Sequence, residues 1–124
     1  MKVKQVVAVV LLLVLLISFA GCGVNPKKVV GVWEREPLYM AHYGCETQMI
    51  LSFAEDGSFT ALLLDAQSHN ILNYAGGKWT MDGNVVVGKR TESLSGSAED
   101  MRFEYDRAKN VIVFEGYAFK RTDK

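Results

Sequence analysis

The sequence predicts an all-β domain, an antiparallel meander of about eight short strands that closes into a small barrel. Apolar and polar residues alternate along several segments, which is the period of two of a strand with one buried face. Turn-forming residues separate these segments at short intervals. No convincing amphipathic helix follows Gly21. Short turns keep consecutive strands adjacent, and closure removes exposed sheet edges, so we favour the barrel over the alternative, a two-layer β-sandwich.

The strands are predicted in order from Val29. Residues 36–44 and 65–70 could each hold a helical turn, but we interpret both as loops. In the first clear hairpin, the turn Glu55-Asp56-Gly57-Ser58 joins two alternating runs. The alternating residues are Thr47, Met49, Leu51 and Phe53 before the turn, and Phe59, Ala61 and Leu63 after it.

The same pattern recurs in the second half of the chain. A run from Tyr74 to Met81 meets Val85 and Val87 across Asp82-Gly83-Asn84, and Met101, Phe103 and Tyr105 precede a turn at 106–110. Val111–Phe114 follows that turn, Gly116 breaks the chain, and Tyr117, Phe119 and Arg121 end it. The predicted domain therefore covers residues 29–122.

The N-terminal segment is typical of a bacterial export signal. Lys2 and Lys4 precede sixteen uncharged residues, Val6 to Gly21, and small residues lie before Cys22. The run Phe19-Ala20-Gly21-Cys22 resembles the lipobox of bacterial lipoproteins, with Phe19 in place of the usual Leu. The resemblance implies cleavage after residue 21 and diacylglycerol on Cys22, with an N-acyl chain left open. A retained membrane helix is the alternative, but sixteen residues rise only about 24 Å, short of a hydrocarbon core of about 30 Å.

The lipid anchor predicts an extracytoplasmic protein on the cell membrane or the outer membrane. Residues 22–28 would form a short tether that reaches at most about 20 Å. The domain is therefore expected close to the lipid headgroups, where its partners or ligands would be found. From Cys22 onward the chain has 12 Lys and Arg against 14 Asp and Glu, since Lys2 and Lys4 are the only charges before it. This mixed charge offers no basic face, so we predict no nucleic-acid partner.

Several short motifs resemble those of lipocalins and related calycin barrels. Gly31-Val32-Trp33 is similar to their Gly-x-Trp opening, in which Trp closes one end of the barrel and a late Arg packs across its ring. Arg121 stands where that Arg is expected. The middle of the chain resembles small bacterial lipocalin-like lipoproteins over residues 51–60, 77–79 and 82–84. The resemblance implies that Trp33 and Arg121 form a barrel-closing pair.

The barrel interior is predicted to be either filled or partly open. An eight-stranded barrel is just wide enough for its own side chains, or for one small ligand. The predicted inward set is bulky: Met49, Leu51, Phe53, Phe59, Leu63, Trp79, Met81, Phe103 and Tyr105. A filled core is the favoured interpretation. If a pocket exists, we expect its lining to include Tyr39, Met40, Tyr43 and Trp79.

The sequence predicts neither an enzyme nor a metal or cofactor site. His42 and His69 have no second ligand at a recognised metal spacing. His42 lies three residues before Cys45, but no Asn or Asp is evident to orient a thiol–base pair. Cys45 is interpreted as a small buried residue at the start of a strand, with a disulfide to another molecule as the alternative.

These observations predict a non-catalytic binding role. The first hypothesis is a small apolar or amphipathic ligand at the cell envelope, and the second is recognition of an envelope protein through the loops. Ser95-Gly96-Ser97 also resembles the inhibitory loop of a family of lysozyme-inhibitor lipoproteins, although the other motifs of that family are absent. A flexible loop explains this run better.

Overall fold

The computed structural model describes residues 24–122, and the predicted signal segment, Cys22 and residues 123–124 lie outside the described residues. Within 24–122 a short 3₁₀ helix, η1, is followed by nine strands. Their bounds are η1 Pro26–Lys28, β1 Gly31–Glu34, β2 Leu38–Met40, β3 Cys45–Phe53, β4 Ser58–Asp65, β5 Ile71–Asp82, β6 Val85–Ser93, β7 Met101–Asp106, β8 Val111–Phe114 and β9 Tyr117–Arg121.

The strands form a closed antiparallel barrel, which confirms the predicted fold class. Each strand from β3 to β8 pairs with the next along the chain, and β1 closes the ring by pairing with both β9 and β3. Trp33 lies opposite Arg121 in one pairing and opposite Leu51 in the other. Eight strands make the ring, and β2 is an additional strand beside β3.

The strand β2 corrects the prediction that residues 36–44 form a loop. β1 pairs with the second half of β3 and β2 with its first half, so they act as one edge strand interrupted at 35–37. Pro37 explains the interruption, because proline has no N–H to donate to the ladder. A run of only three strand residues beside a proline gives too short a pattern to recognise as a strand from sequence.

The barrel has two different ends. The first, here called the closed end, carries the turns after β3, β5 and β7 together with η1, and Val24 N–H donates to Gly83 O at 3.4 Å. The opposite end, here called the open end, carries the loops 41–44, 66–70 and 94–100 and the two-residue turn between β8 and β9. In that turn Glu115 and Gly116 have φ of 52° and 83°, the left-handed values of a type I′ hairpin.

The core lies in the closed half of the barrel. Seven of the nine predicted inward residues are buried, whereas Met49 and Met81 are partly buried and pack against the others. Val24 extends the core beyond the predicted domain start at residue 29, so it packs against the barrel from within the segment predicted as a short tether. β6 buries Val86 rather than Val85 or Val87. A complete ring of strands and its core thus lie within residues 24–122.

Candidate functional site

The predicted pair of Trp33 and Arg121 lies at the closed end. Trp33 is fully buried, and its indole Nε1 donates to Val29 O at 2.9 Å. The guanidinium carbon of Arg121 lies 4.4 Å from the centre of the Trp33 ring, within the range of a cation–π contact. Arg121 also donates to the carbonyls of Val30 and Lys28. These contacts fasten η1 and the start of β1 to the last strand.

Aromatic side chains fill the barrel interior next to this pair, in the closed half. The ring of Phe53 lies 5.7 Å from that of Trp79 and 5.4 Å from that of Phe103, both edge to face. Phe59 stacks on Phe53 at 6.4 Å. Trp79 is 8% exposed, and its Nε1 donates to Ala54 O at 2.9 Å in the turn after β3. The closed half of the barrel is therefore packed with side chains.

The open half contains a cavity of about 220 Å³. Its wall is mainly apolar and includes three methionines; the apolar lining residues are Leu38, Met40, Met49, Ala61, Leu63, Ala75, Met101, Phe114 and Phe119. Polar groups lie among them: Arg35, Tyr43, Asn73, Tyr74, Arg90, Glu115 and Tyr117. An apolar concavity with a few polar groups is the usual composition of a small-molecule site.

The structure separates the four residues predicted to line a pocket. Met40 and Tyr43 are on the cavity wall. Tyr39 is 62% exposed and does not line the cavity. It alternates with Leu38 and Met40 along β2, and successive side chains of a strand point to opposite faces. Trp79 also does not line the cavity, because its position near the end of β5 places it in the packed closed half.

Arg35 is a lining residue that sequence reasoning missed. It lies in the interruption between β1 and β2 and is only 7% exposed. Its Nη1 donates to the carbonyls of Thr47 at 2.9 Å and Glu36 at 3.2 Å. Its Nη2 donates to Thr47 Oγ1 at 3.0 Å. Thr47 Oγ1 in turn donates to Leu38 O at 2.8 Å, so this hydroxyl joins Arg35 to β2. In the sequence, Glu34-Arg35-Glu36-Pro37 is typical of an exposed turn. The burial of Arg35 is explained by Thr47, which lies on another strand and accepts hydrogen bonds from the guanidinium.

The charge of Arg35 has no close counter-charge in the described part of the chain. No carboxylate of residues 24–122 lies within 4.0 Å of its guanidinium. Burial lowers the pKa of Arg35, while electrostatic interaction with Tyr117 and Glu115 acts in the opposite direction. Arginine nevertheless remains protonated in proteins. The cavity wall therefore carries a permanent positive charge on a buried side chain.

Arg90 fixes the long loop at the open end. Its Nε donates to Glu99 O at 2.6 Å and its Nη2 to Ser97 Oγ at 2.8 Å. Ser93 Oγ donates to Ser97 O at 2.9 Å across the same loop. Ser97, from the Ser-Gly-Ser run, is thus engaged in holding its own loop.

The residues considered for catalysis make no hydrogen bond to one another within residues 24–122. Cys45 begins β3, half-buried, and burial together with the charge and hydrogen bond of Asp65 raises the pKa of its thiol. His42 makes an edge contact with the ring of Tyr43 at 4.7 Å, and His69 lies exposed in the loop after β4. Among residues 24–122, no group of three His, Cys, Asp or Glu side chains is arranged to hold a metal ion. The same residues contain no helix long and apolar enough to cross a bilayer.

Strand order, closed end and open-end cavity together define an up-and-down β-barrel with one packed half and one open half. Among solved structures, the chain is similar to a lipoprotein YedD from Klebsiella pneumoniae subsp. pneumoniae MGH 78578. The TM-score is 0.56 at 13% sequence identity, and the match covers 82% of this chain and 78% of that chain. At this identity the likeness supports the fold alone. No protein-family profile matches the chain, and no curated protein matches it in sequence.

Proposed function

We propose that this chain is a lipid-anchored envelope protein that binds a small apolar or amphipathic ligand in the open-end cavity and performs no catalysis. The observation that supports this proposal is the cavity of about 220 Å³, because aromatic side chains pack the closed half of the barrel but do not fill the open half. The lipobox-like run before Cys22 supports the anchor. Two or three acyl chains hold a protein stably on a bilayer.

The position of Val24 supports one orientation of the barrel on the membrane. Val24 is buried at the closed end, and Cys22 lies two residues earlier, so the chain between them spans at most about 7 Å. An anchor on Cys22 would hold the closed end near the headgroups and leave the cavity opening away from them. We therefore infer that the ligand enters from the aqueous side. This differs from the expectation, based on tether length, that ligands come from the membrane surface.

Native mass spectrometry of residues 24–124, purified from an exporting bacterium without detergent, tests the binding role. We expect an additional mass of a few hundred daltons or less that is lost on denaturation. The bare mass, together with no binding of any small apolar probe, would contradict the ligand hypothesis. The anchor is tested separately on the full chain: Cys22→Ala should abolish incorporation of labelled palmitate, and Cys45→Ala should retain it.

A second candidate function is supported by apolar side chains at the open end. The exposed large apolar residues of the described chain are Tyr39, Ile71, Leu94 and Tyr117, with exposures from 46% to 65%. All four lie where strands meet the loops of the open end. Aromatic residues are enriched where proteins recognise partners. This rim would suit an interaction module for an envelope protein, or inhibition of a lysozyme, which an enzyme assay with the purified domain would test.

A further inference from the structure

The buried side chain of Arg35 limits the chemical class of ligand that the cavity would bind. Its side chain is 7% exposed, and its four polar contacts are all with uncharged groups. Three are the oxygens of Thr47 and Glu36, and the fourth is the Met40 sulfur at 3.9 Å from Nη2. A buried charge is costly unless another charge compensates it. The hydrogen bonds fix the guanidinium in place, but none is to a charged group, and Glu115 acts on it electrostatically without direct contact.

One donor of this guanidinium is available to a ligand. Within residues 24–122, the Nε–H of Arg35 makes no hydrogen bond. Every fully buried side-chain nitrogen and oxygen of the described chain has a hydrogen-bond partner, so this Nε is not fully buried. Since Arg35 lines the cavity, an occupant of the cavity can approach its guanidinium.

The other charges of the wall leave a positive excess. Arg35 and Arg90 face one acid, Glu115, so the lining carries a formal charge of +1. Glu115 lies in the exposed turn between β8 and β9, where water screens its charge. Arg35 is buried and is screened much less. The strongest electrostatic preference of the cavity is therefore for an anionic group beside Arg35.

The size and composition of the cavity limit the rest of the ligand. An apolar cavity of about 150 Å³ holds benzene, with its six carbons. The present cavity, of about 220 Å³, is about half as large again and fits about nine or ten non-hydrogen atoms. Flexible thioether side chains of Met40, Met49 and Met101 line it, and these can adapt to an aliphatic chain.

From these observations we propose that the cavity binds a small amphipathic anion, a carboxylate of about eight carbons in all with an unbranched apolar chain. The carboxylate accepts hydrogen bonds from Arg35, and the chain lies against the methionines and Leu63. This inference rests on the proposed binding function and adds the chemical class of the ligand.

The test compares three ligands of the same chain length on residues 24–124 by isothermal titration calorimetry. Octanoate is expected to bind at least about tenfold more tightly than octanol, because a charge-assisted hydrogen bond is stronger than a neutral one. Octylammonium is expected to bind most weakly. Equal binding of octanoate and octanol would overturn the anion inference while leaving the cavity as a binding site. If none of the three binds, the proposed ligand-binding function fails as well.

Two variants of matched shape test the charges separately. Arg35→Met should reduce octanoate affinity to that of octanol and leave octanol binding within about twofold. Because Arg35 also braces β2, this variant is interpreted only where circular dichroism shows a folded barrel. Glu115→Gln is exposed and is expected to tighten octanoate about two- to fivefold without changing octanol. Octanoate binding that is unchanged in Glu115→Gln and in a folded Arg35→Met protein would overturn the inference.

Discussion

The hydroxyl of Thr47 is expected to stabilise the barrel more than its small size suggests. Thr47 is fully buried, and its Oγ1 accepts from Arg35 at 3.0 Å and donates to Leu38 O at 2.8 Å. Thr47→Val keeps nearly the same shape but removes both hydrogen bonds. It leaves a buried arginine donor and a carbonyl without these partners.

The magnitude follows from the two bonds. A hydrogen bond to a charged group contributes about 1.5–3 kcal/mol and a neutral one about 0.5–1.5 kcal/mol. The added apolar contact of valine offsets part of this loss. We expect Thr47→Val to lower the free energy of unfolding by about 2–3 kcal/mol. For a domain of about 100 residues this corresponds to a fall in Tm of about 8–20 °C.

The assay is urea unfolding of residues 24–124 followed by tryptophan fluorescence, with Thr47→Ser as the control. Serine keeps the hydroxyl and loses one methyl group, at a cost of about 1 kcal/mol. In an Arg35→Met background, Thr47→Val should cost less than in the parent, because the two side chains are coupled. The reasoning is refuted if Thr47→Val is as stable as Thr47→Ser, or if the two substitutions are additive.

Three other results are expected from single substitutions. Gly88→Ala should lower the free energy of unfolding by about 1–3 kcal/mol in the same assay, because its Cβ would lie 2.8 Å from Cζ of the buried Phe59. Cys45 should react slowly with iodoacetamide at neutral pH, since burial, and then the charge of Asp65, raise the pKa of its thiol. Asp65→Asn should speed that reaction. Backbone hydrogen bonds from Gln67 and Ser68 lower the pKa of Asp65. The contribution of Asp65 to stability is therefore present above its unfolded pKa of about 3.9 and is lost as the pH falls through the folded value. Asp65→Asn should therefore reduce the loss of stability on acidification.

Each of these has a contradicting outcome. Full stability of Gly88→Ala would mean that the Phe59 ring can move aside. If Gly88→Ala is destabilised, adding Phe59→Leu should restore part of the lost stability. Thiol reactivity that Asp65→Asn leaves unchanged would show that burial alone protects Cys45. An equal acid sensitivity of parent and Asp65→Asn would exclude Asp65 as a titrating contributor.

Local sequence patterns predicted the fold because each strand and turn of the barrel depends mainly on residues that are close together in the chain. Alternation around the turn at Gly57 identifies a hairpin from nearby residues alone, and the structure contains it as β3 and β4. The turn at 82–84 did the same for β5 and β6. β2 was not predicted, because its three residues next to Pro37 are too few to show an alternating pattern. Their pairing depends on β3, whose first half would otherwise lack a neighbour on that side.

The candidate site was harder to predict than the fold, since its residues come together only when the ring closes. Met40 and Tyr43 were expected on a cavity wall and lie there, whereas Trp79 lies in the packed half. Residue type alone cannot tell these positions apart, because bulky apolar side chains occur at both ends of the barrel. What distinguishes them is their height along the strand, which depends on the register of the closed sheet.

By itself, the sequence determined an all-β meander of short strands, since alternation and turn residues act over a few positions of the chain. It also indicated that Trp33 and Arg121 belong together, through a resemblance of motifs. Only the tertiary structure decided that Arg35 is buried, because its burial requires Thr47 of another strand to accept its hydrogen bonds. Only the closed ring decided that Val24 and the cavity lie at opposite ends. That separation is a property of the whole barrel, which no local pattern can encode.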